Sequence, residues 1–142
     1  MGSSSFRSPA EFREVIDQIF GLMDTPEMGP QLRDADVPQR FEFDDLDLVV
    51  NVRAATPDEE GRYIVWEWSD EVDWEPKVRM EMASETANKY FQGKENIAMA
   101  IARRRIKTGG DIKAALALMP IVKPVYARYV ELVERQYPHL KV

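Results

Sequence analysis

ANKYFQGKENIAMAIARRRIKTGGD, residues Ala87 to Asp111, decides how this chain reads. A short helical segment carrying Ala87, Tyr90 and Phe91 runs up to Gly93. A second apolar run follows, with Ile97, Ala98, Ala100 and Ile101 at helical spacing. The basic segment Arg105 to Thr108 then reads as a short strand, and Gly109-Gly110 as a tight turn. Asp111 caps the next helix, because its carboxylate can accept from the unpaired N–H groups of a first turn. None of these side chains forms a catalytic set. The pattern builds an apolar compartment beside a sheet, which points to binding rather than chemistry.

Working outward, the N-terminal side opens with Ser8-Pro9-Ala10-Glu11, a helix start with a cap, a first-turn proline and an acidic third position. Phe12, Val15, Ile16, Ile19, Phe20 and Met23 continue it at spacings of three and four, one apolar helical face. Thr25-Pro26 through Gly29-Pro30 ends that helix. Period-two segments follow. Val37, Gln39, Phe41 and Phe43 share one parity; so do Leu46, Leu48, Val50 and Val52; then Ile64, Trp66 and Trp68; then Val78, Met80 and Met82. Successive alternating segments predict an antiparallel meander with one face buried. On the C-terminal side the pattern predicts a helix from Ile112 to Met119, broken at Pro120. A last amphipathic helix then carries Val122, Val125, Tyr126, Tyr129, Leu132 and Val133. The fold class is α+β: a mostly antiparallel five-stranded sheet with helices covering one face.

Composition narrows the functions. At 142 residues the chain fits a single domain, 1–142, with the Ser-rich segment 1–7 expected to be disordered. Hydrophobic residues at 44% and charged residues at 31% place it among soluble globular proteins. Met1 to Arg7 lacks the apolar core of a secretory signal. The chain has no cysteine, which removes disulfides, thiolate nucleophiles and Cys-based zinc sites and fits a cytoplasmic setting. Net charge is −6, so nonspecific nucleic-acid binding is disfavoured. The charge is uneven: residues 1–76 carry −13 and residues 77–142 carry +7. Either the two segments lie close together in the fold, or the second forms a basic surface for anionic head groups.

Individual constellations are weak. His139, the single histidine, reads as a surface residue near the C-terminus and allows no histidine triad or paired-histidine metal site. Asp44, Asp45 and Asp47 lack calcium-loop spacing and read as a solvated turn. No metal and no cofactor is expected. Trp66, Trp68 and Trp74 fit either a ring-stacking ligand or core packing. Met80, Met82, Met99 and Met119 fit either an adaptable pocket or ordinary core. Arg103, Arg104, Arg105 and Lys107 fit either a head-group site or a protected strand edge. Glu67, flanked by tryptophans, is a candidate for a perturbed carboxylate only if it is buried.

The block Tyr90-Phe91-Gln92-Gly93-Lys94, the Asn96-Ile97-Ala98 turn into a helix, and Arg105-Ile106-Lys107-Thr108-Gly109-Gly110-Asp111 together resemble the sterol carrier protein type 2 family, in its bacterial, stand-alone form. The element order extends the resemblance over most of Val37 to Met119. The chain departs from it in ending His139-Leu140-Lys141-Val142, without a peroxisomal address, and in its long last helix. The resemblance implies non-catalytic binding or transfer of a sterol, fatty acid, acyl-CoA or phospholipid in an apolar tunnel. The expected ligand-facing residues are Leu48, Val50, Trp66, Trp68, Met80, Met82, Tyr90, Phe91, Ile97, Ile101, Met119 and Tyr126. Arg103, Arg104, Arg105 and Lys107 are the expected head-group residues, with transient contact to an anionic membrane. The alternative is an accessory or assembly protein that uses the same fold to dock a lipid-pathway enzyme or to form a homodimer.

Overall fold

The computed structural model describes residues 5–142. In chain order the elements are α1 (Pro9–Met23), α2 (Gly29–Ala35), β1 (Gln39–Phe43), β2 (Leu48–Ala54), β3 (Ile64–Trp68) and β4 (Val78–Met82). Then come α3 (Ser84–Phe91), α4 (Ile97–Ala102), β5 (Ile106–Gly110) and α5 (Ile112–Gln136), with a short 3-10 turn over Pro138–Leu140. The α+β class holds. Of the segment expected to be disordered, residues 1–4 lie outside the described residues. Phe6 is buried, its ring edge-on to Phe12 at 4.8 Å.

α1 forms as its sequence dictates. The Ser8 hydroxyl accepts the Glu11 N–H at 3.1 Å, and Pro9 takes the first turn, where no donor is needed. All six apolar positions of its predicted face are buried. Burying each stabilises by roughly 1.5–3 kcal/mol before conformational entropy is counted. α2 has no such face and contributes only Leu32 as a buried large side chain, which is why periodicity does not reveal it.

The sheet is mixed, and this corrects the antiparallel meander. Its order is β3-β2-β1-β4-β5. β4 does not follow β3 as its neighbour; it crosses over to lie parallel to β1, with Phe41 opposite Met80 and Phe43 opposite Met82. The pairs β1–β2, β2–β3 and β4–β5 are antiparallel. Alternation fixes which face a side chain takes but not which strand lies alongside. Register places Phe41, Val50, Trp68 and Met80 on one face. The helices cover that face. The other carries Arg40, Glu42, Arg79, Glu81 and Lys107.

Two further corrections concern the C-terminal half. Gly109 and Gly110 end β5 instead of forming a separate turn. Gly110 has φ +83°, and a Cβ there would collide with the Lys77 carbonyl oxygen, so this position needs glycine. The second correction is that α5 continues through Pro120 and Pro124 for 25 residues. Each proline removes one helix hydrogen bond. Both prolines are exposed, so the carbonyls they leave unpaired face outward. The buried stripe Ala115, Leu118, Val122, Val125, Tyr129, Leu132 and Val133 holds the helix to the core across the interruption.

The end of the chain is docked. Asn88 Nδ2 and Gln92 Nε2 both donate to the Leu140 carbonyl, at 2.9 and 2.7 Å. The Tyr129 hydroxyl and Gln92 Nε2 donate to Asn88 Oδ1 at 2.7 and 2.9 Å. Buried polar groups persist when they are satisfied in this way. His139 is not a surface residue: it is half-buried, with Nε2 2.9 Å from Glu11 Oε1. Burial pushes the Glu11 carboxyl up, but the Arg7 N–H and His139 outweigh it, leaving Glu11 below the usual carboxylate range.

Candidate functional site

An apolar cavity of about 110 Å³ lies between the sheet and the helices. Its floor is the inner face of the central strands: Phe41 and Phe43 from β1, Met80 and Met82 from β4, and Val52 from β2. The parallel β1–β4 pairing puts Phe41 beside Met80 and so creates this floor. α5 forms the roof with Ala115, Leu118, Met119 and Val122. Ile16, Phe20 and Met23 of α1 close one side, and Tyr90 and Phe91 of α3 with Ile97 of α4 close the other. Leu116, 37% exposed, shows that the cavity reaches the surface along α5.

Six of the twelve expected ligand-facing residues line this cavity: Met80, Met82, Tyr90, Phe91, Ile97 and Met119. The other six do not. Leu48 and Val50 lie on the same face of the sheet but outside the cavity, and Val50 is fully buried. Trp66 and Trp68 belong to the α1 side of the core. Both indole Nε1–H groups donate to one oxygen of Asp17, at 2.9 and 2.7 Å. Phe20 packs on Trp66 at 5.3 Å, and Phe12 meets Trp68 edge-on at 6.3 Å. Ile101 is half-buried outside the lining. Tyr126 stands behind Tyr90: their rings cross at 5.3 Å and their hydroxyls are 2.7 Å apart. Burial pushes both phenols up. The bond from Tyr126 raises Tyr90 further, while its counterpart partly offsets the rise at Tyr126.

Sequence reasoning missed Phe20, Met23, Phe41, Leu118 and Val122. Each sits on an apolar face that periodicity does show, but only the crossover of β4 and the continuous α5 bring those faces together. Met99 is 44% exposed and lies outside the lining.

The expected head-group residues split into two pairs. Arg105 Nε is 2.7 Å from Glu95, and Lys107 Nζ is 3.5 Å from Glu81. Arg103 and Arg104 are exposed and make no ion pair among the described residues. Arg128–Glu27 at 2.6 Å and Arg79–Glu75 at 3.9 Å join the acidic and basic halves of the chain. Glu67 faces solvent, so the burial on which its candidacy depended is absent. Asp45 is structural. It accepts from the Ser84 N–H at 2.9 Å and the Ser84 hydroxyl at 2.6 Å, capping α3 from a distant turn. Among the described residues no cluster could hold a metal ion, and no helix is long and apolar enough to cross a membrane.

A mixed sheet with one face roofed by helices over an apolar cavity defines an α+β architecture. The chain belongs to the SCP-2 sterol transfer family, whose family model matches residues 24–123. No curated protein matches it in sequence. Among solved structures, a double mutant of the sec-alkyl sulfatase PisA1 superposes with TM-score 0.61 at 16% identity, covering 74% of this chain and 16% of that one. This chain therefore spans about a sixth of the sulfatase. UbiJ-SCP2, a ubiquinone synthesis protein, gives TM-score 0.60 at 10% identity, covering 82% of this chain and 96% of that one. Sterol Carrier Protein 2 from Yarrowia lipolytica, in its apo form, gives TM-score 0.53 at 11% identity, covering 87% and 95%. At these identities the structural likeness concerns the fold.

Proposed function

We propose that residues 1–142 form a single lipid-binding unit that sequesters or transfers a hydrophobic ligand without covalent chemistry. The observation that carries this reading is the methionine- and aromatic-lined cavity between the sheet and α5. Family membership supports it at the level of lipid binding or transfer. The driving force is removal of apolar surface from water, at roughly 25 cal/mol per Å². The cavity is smaller than the roughly 300–1,000 Å³ of typical small-molecule sites. Methionine side chains are unbranched and adaptable, so Met23, Met80, Met82 and Met119 can move aside as a ligand enters. Exposed Arg103 and Arg104 supply cations for transient contact with an anionic membrane.

Native mass spectrometry of the gently purified full chain, followed by titration with a neutral fluorescent lipid probe, tests the proposal. The expected result is a lipid adduct or saturable probe binding, lost in Ala115→Phe, which puts a ring into the roof of the cavity. A folded chain that binds nothing across a broad lipid panel overturns it.

A second reading is supported by the likeness to the ubiquinone synthesis protein over nearly its whole length. In it the chain is an accessory or assembly protein that presents a lipid, or the outer face of α5, to a lipid-pathway enzyme or to a second copy of itself. A stable dimer with no exchangeable ligand would favour it.

A further inference from the structure

β3 lies at one edge of the sheet, with β2 as its single strand neighbour. The register sets Asn51 opposite Glu67 and Arg53 opposite Val65. At the two ends of this ladder the Ala55 N–H donates to the Tyr63 carbonyl at 2.9 Å, and the Ser69 N–H donates to the Val49 carbonyl at 3.1 Å. In an antiparallel pair, alternate residues turn both backbone groups toward the neighbour. Tyr63, Val65, Glu67 and Ser69 therefore face β2, while Ile64, Trp66 and Trp68 face outward. The Ile64 N–H agrees with this parity, because it donates to Asp24 Oδ1 at 3.2 Å and not to β2. The N–H and C=O groups of Trp66 and Trp68, and the C=O of Ile64, have no hydrogen-bond partner among the described residues.

Strand edges are usually blunted by lysine, proline or a bulge, because an open row of backbone groups is a template for another strand. β5, at the other edge, carries Lys107 and ends in Gly109 and Gly110. β3 is Ile64-Val65-Trp66-Glu67-Trp68, β-branched and aromatic, with neither lysine nor proline. Its shape is also fixed in advance. Asp17 holds both indoles, at 2.9 and 2.7 Å, so a partner strand meets a backbone that is already ordered, and pairing costs less entropy.

We propose that this edge pairs with β3 of a second copy of the chain, antiparallel about a two-fold axis through Trp66, joining the two five-stranded sheets into one. Outward residues must meet outward residues, so Trp66 faces Trp66, and Trp68 faces Ile64 of the second copy. The Trp66 N–H then donates to the Trp66 carbonyl and the Trp68 N–H to the Ile64 carbonyl, each repeated by symmetry, while the Ile64 N–H stays with Asp24. Charge selects the same register. Val65 comes opposite Glu67 of the second copy, and two residues beyond the strand Arg62 comes opposite Asp70. Both are exposed, and the Asp70 carboxylate has no ion pair among the described residues. An axis through Glu67 would set two carboxylates directly opposite each other, which is destabilising. An axis through Val65 would set Trp68 against Arg62, outside the strand. Edge pairing of two such short strands buries less than the roughly 1,200–2,000 Å² of stable complexes, so the dimer is weak, with a Kd on the order of 100 μM. The inference is independent of the carrier reading.

The test is sedimentation equilibrium of the full chain from about 10 μM to about 1 mM. The expected result is a monomer–dimer equilibrium that Val65→Glu weakens about tenfold, because the axis repeats the clash of the new carboxylate with Glu67. Within its own chain that carboxylate lies beside Arg53, so the fold tolerates it. The double change Val65→Glu with Glu67→Val sets carboxylate against valine again and should restore association. The chain has no cysteine, so disulfide trapping reads the register directly. A mixture of Val65→Cys and Glu67→Cys chains should cross-link much faster than either chain alone. A chain that stays monomeric at about 1 mM overturns the proposal. So does a dimer indifferent to Val65→Glu, or one that cross-links no faster in the mixture. A monomeric chain that instead takes up an added extended peptide at this edge overturns the second copy as its occupant. If Val65→Glu does not fold, the cysteine mixture decides alone.

Discussion

Replacing Asp17 by Ala should be among the most damaging single changes on the α1 face. One carboxylate oxygen receives two indole N–H groups, from Trp66 at 2.9 Å and Trp68 at 2.7 Å. The two tryptophans are alternate residues of β3, so a single side chain of α1 pins that strand at two points. A hydrogen bond to a charged group contributes about 1.5–3 kcal/mol. Both indoles are only half-buried, so part of the loss is recovered by water once the carboxylate is gone. The net cost comes to about 2–4 kcal/mol. For a chain of this size that lowers the melting temperature by about 6–16 °C. Asp17→Asn keeps a neutral acceptor in the same place and should recover about half of the loss. Thermal and urea unfolding followed by circular dichroism measure the effect, and a cycle with Trp66→Phe and Trp68→Phe isolates the pairwise terms. The same variant, measured well below its melting temperature, should bind the fluorescent lipid probe within twofold of the unaltered chain, because neither tryptophan lines the cavity. A stability change under about 0.5 kcal/mol, the level of ordinary surface substitutions, would refute the pinning. A large loss of probe affinity at full folding would return the tryptophans to the binding site.

Three further outcomes are expected. Gly110→Ala combines a left-handed backbone with a collision against the Lys77 carbonyl, and should cost about 3 kcal/mol or more, visible as a sharply lower urea midpoint or insolubility. Gln92→Ala removes donors to the Leu140 carbonyl and to Asn88; it should cost about 1–3 kcal/mol and speed amide exchange across residues 137–142 ahead of the rest of the chain. Glu59 is held at about 2, below the ordinary 4.5, first by the Arg53 hydrogen bonds and then by the Thr56 N–H. Its contribution is therefore complete above about pH 4.5 and fades as pH falls through 2, so the stability gap between the unaltered chain and Glu59→Gln should be constant near neutrality and close in acid.

Local order is legible wherever one residue type settles the conformation. Ser8, Pro9 and the Phe12-to-Met23 spacing define α1, and alternation in Val78, Met80 and Met82 defines the inward face of β4. Asp111 marks the start of α5, its carboxylate accepting the Ala114 N–H at 3.1 Å. Long-range choices are not legible. The inward residues of β4 look the same whether the strand pairs with β3 or crosses to β1, so the cavity floor cannot be assembled from parity. The prolines at 120 and 124 argue locally for a break, and the break is overridden by a buried stripe whose value appears only when α5 lies on the core. Tyr90 and Tyr126 both read as ligand-facing residues for their aromatic bodies. That their hydroxyls pair across α3 and α5 depends on that same continuity. Asp17 gives no signal in the sequence, because an acid on the wet edge of an amphipathic helix is ordinary and its indole partners are about fifty positions away.

The size of the cavity bears on how a chain that carries lipid, as proposed, would stay folded. A dry void costs about 24 cal/mol per Å³. Counted as wholly dry, the space of about 110 Å³ would cost at most about 2–3 kcal/mol, and less where it opens to the surface beside Leu116, which the chain can carry within a net stability of about 5–15 kcal/mol. A dry space of about 300–1,000 Å³ would cost about 7–24 kcal/mol and would consume that stability. A ligand-sized chamber cannot therefore stand dry and open in this fold. It must be filled by ligand, or by side chains able to leave. Met80 and Met82 on the floor, Met119 in the roof and Met23 at the side are placed for that exchange: each can swing along unbranched torsions without moving the backbone. On the proposed function, ligand entry would be a repacking in which lipid replaces thioether contacts. Its affinity comes from the extra apolar area that leaves water, less the cost of moving those side chains. Leucine in place of Met80 and Met82 keeps the volume but stiffens the floor, so it should leave the ligand-free chain as stable as before and slow ligand entry, which stopped-flow mixing with the fluorescent lipid probe measures.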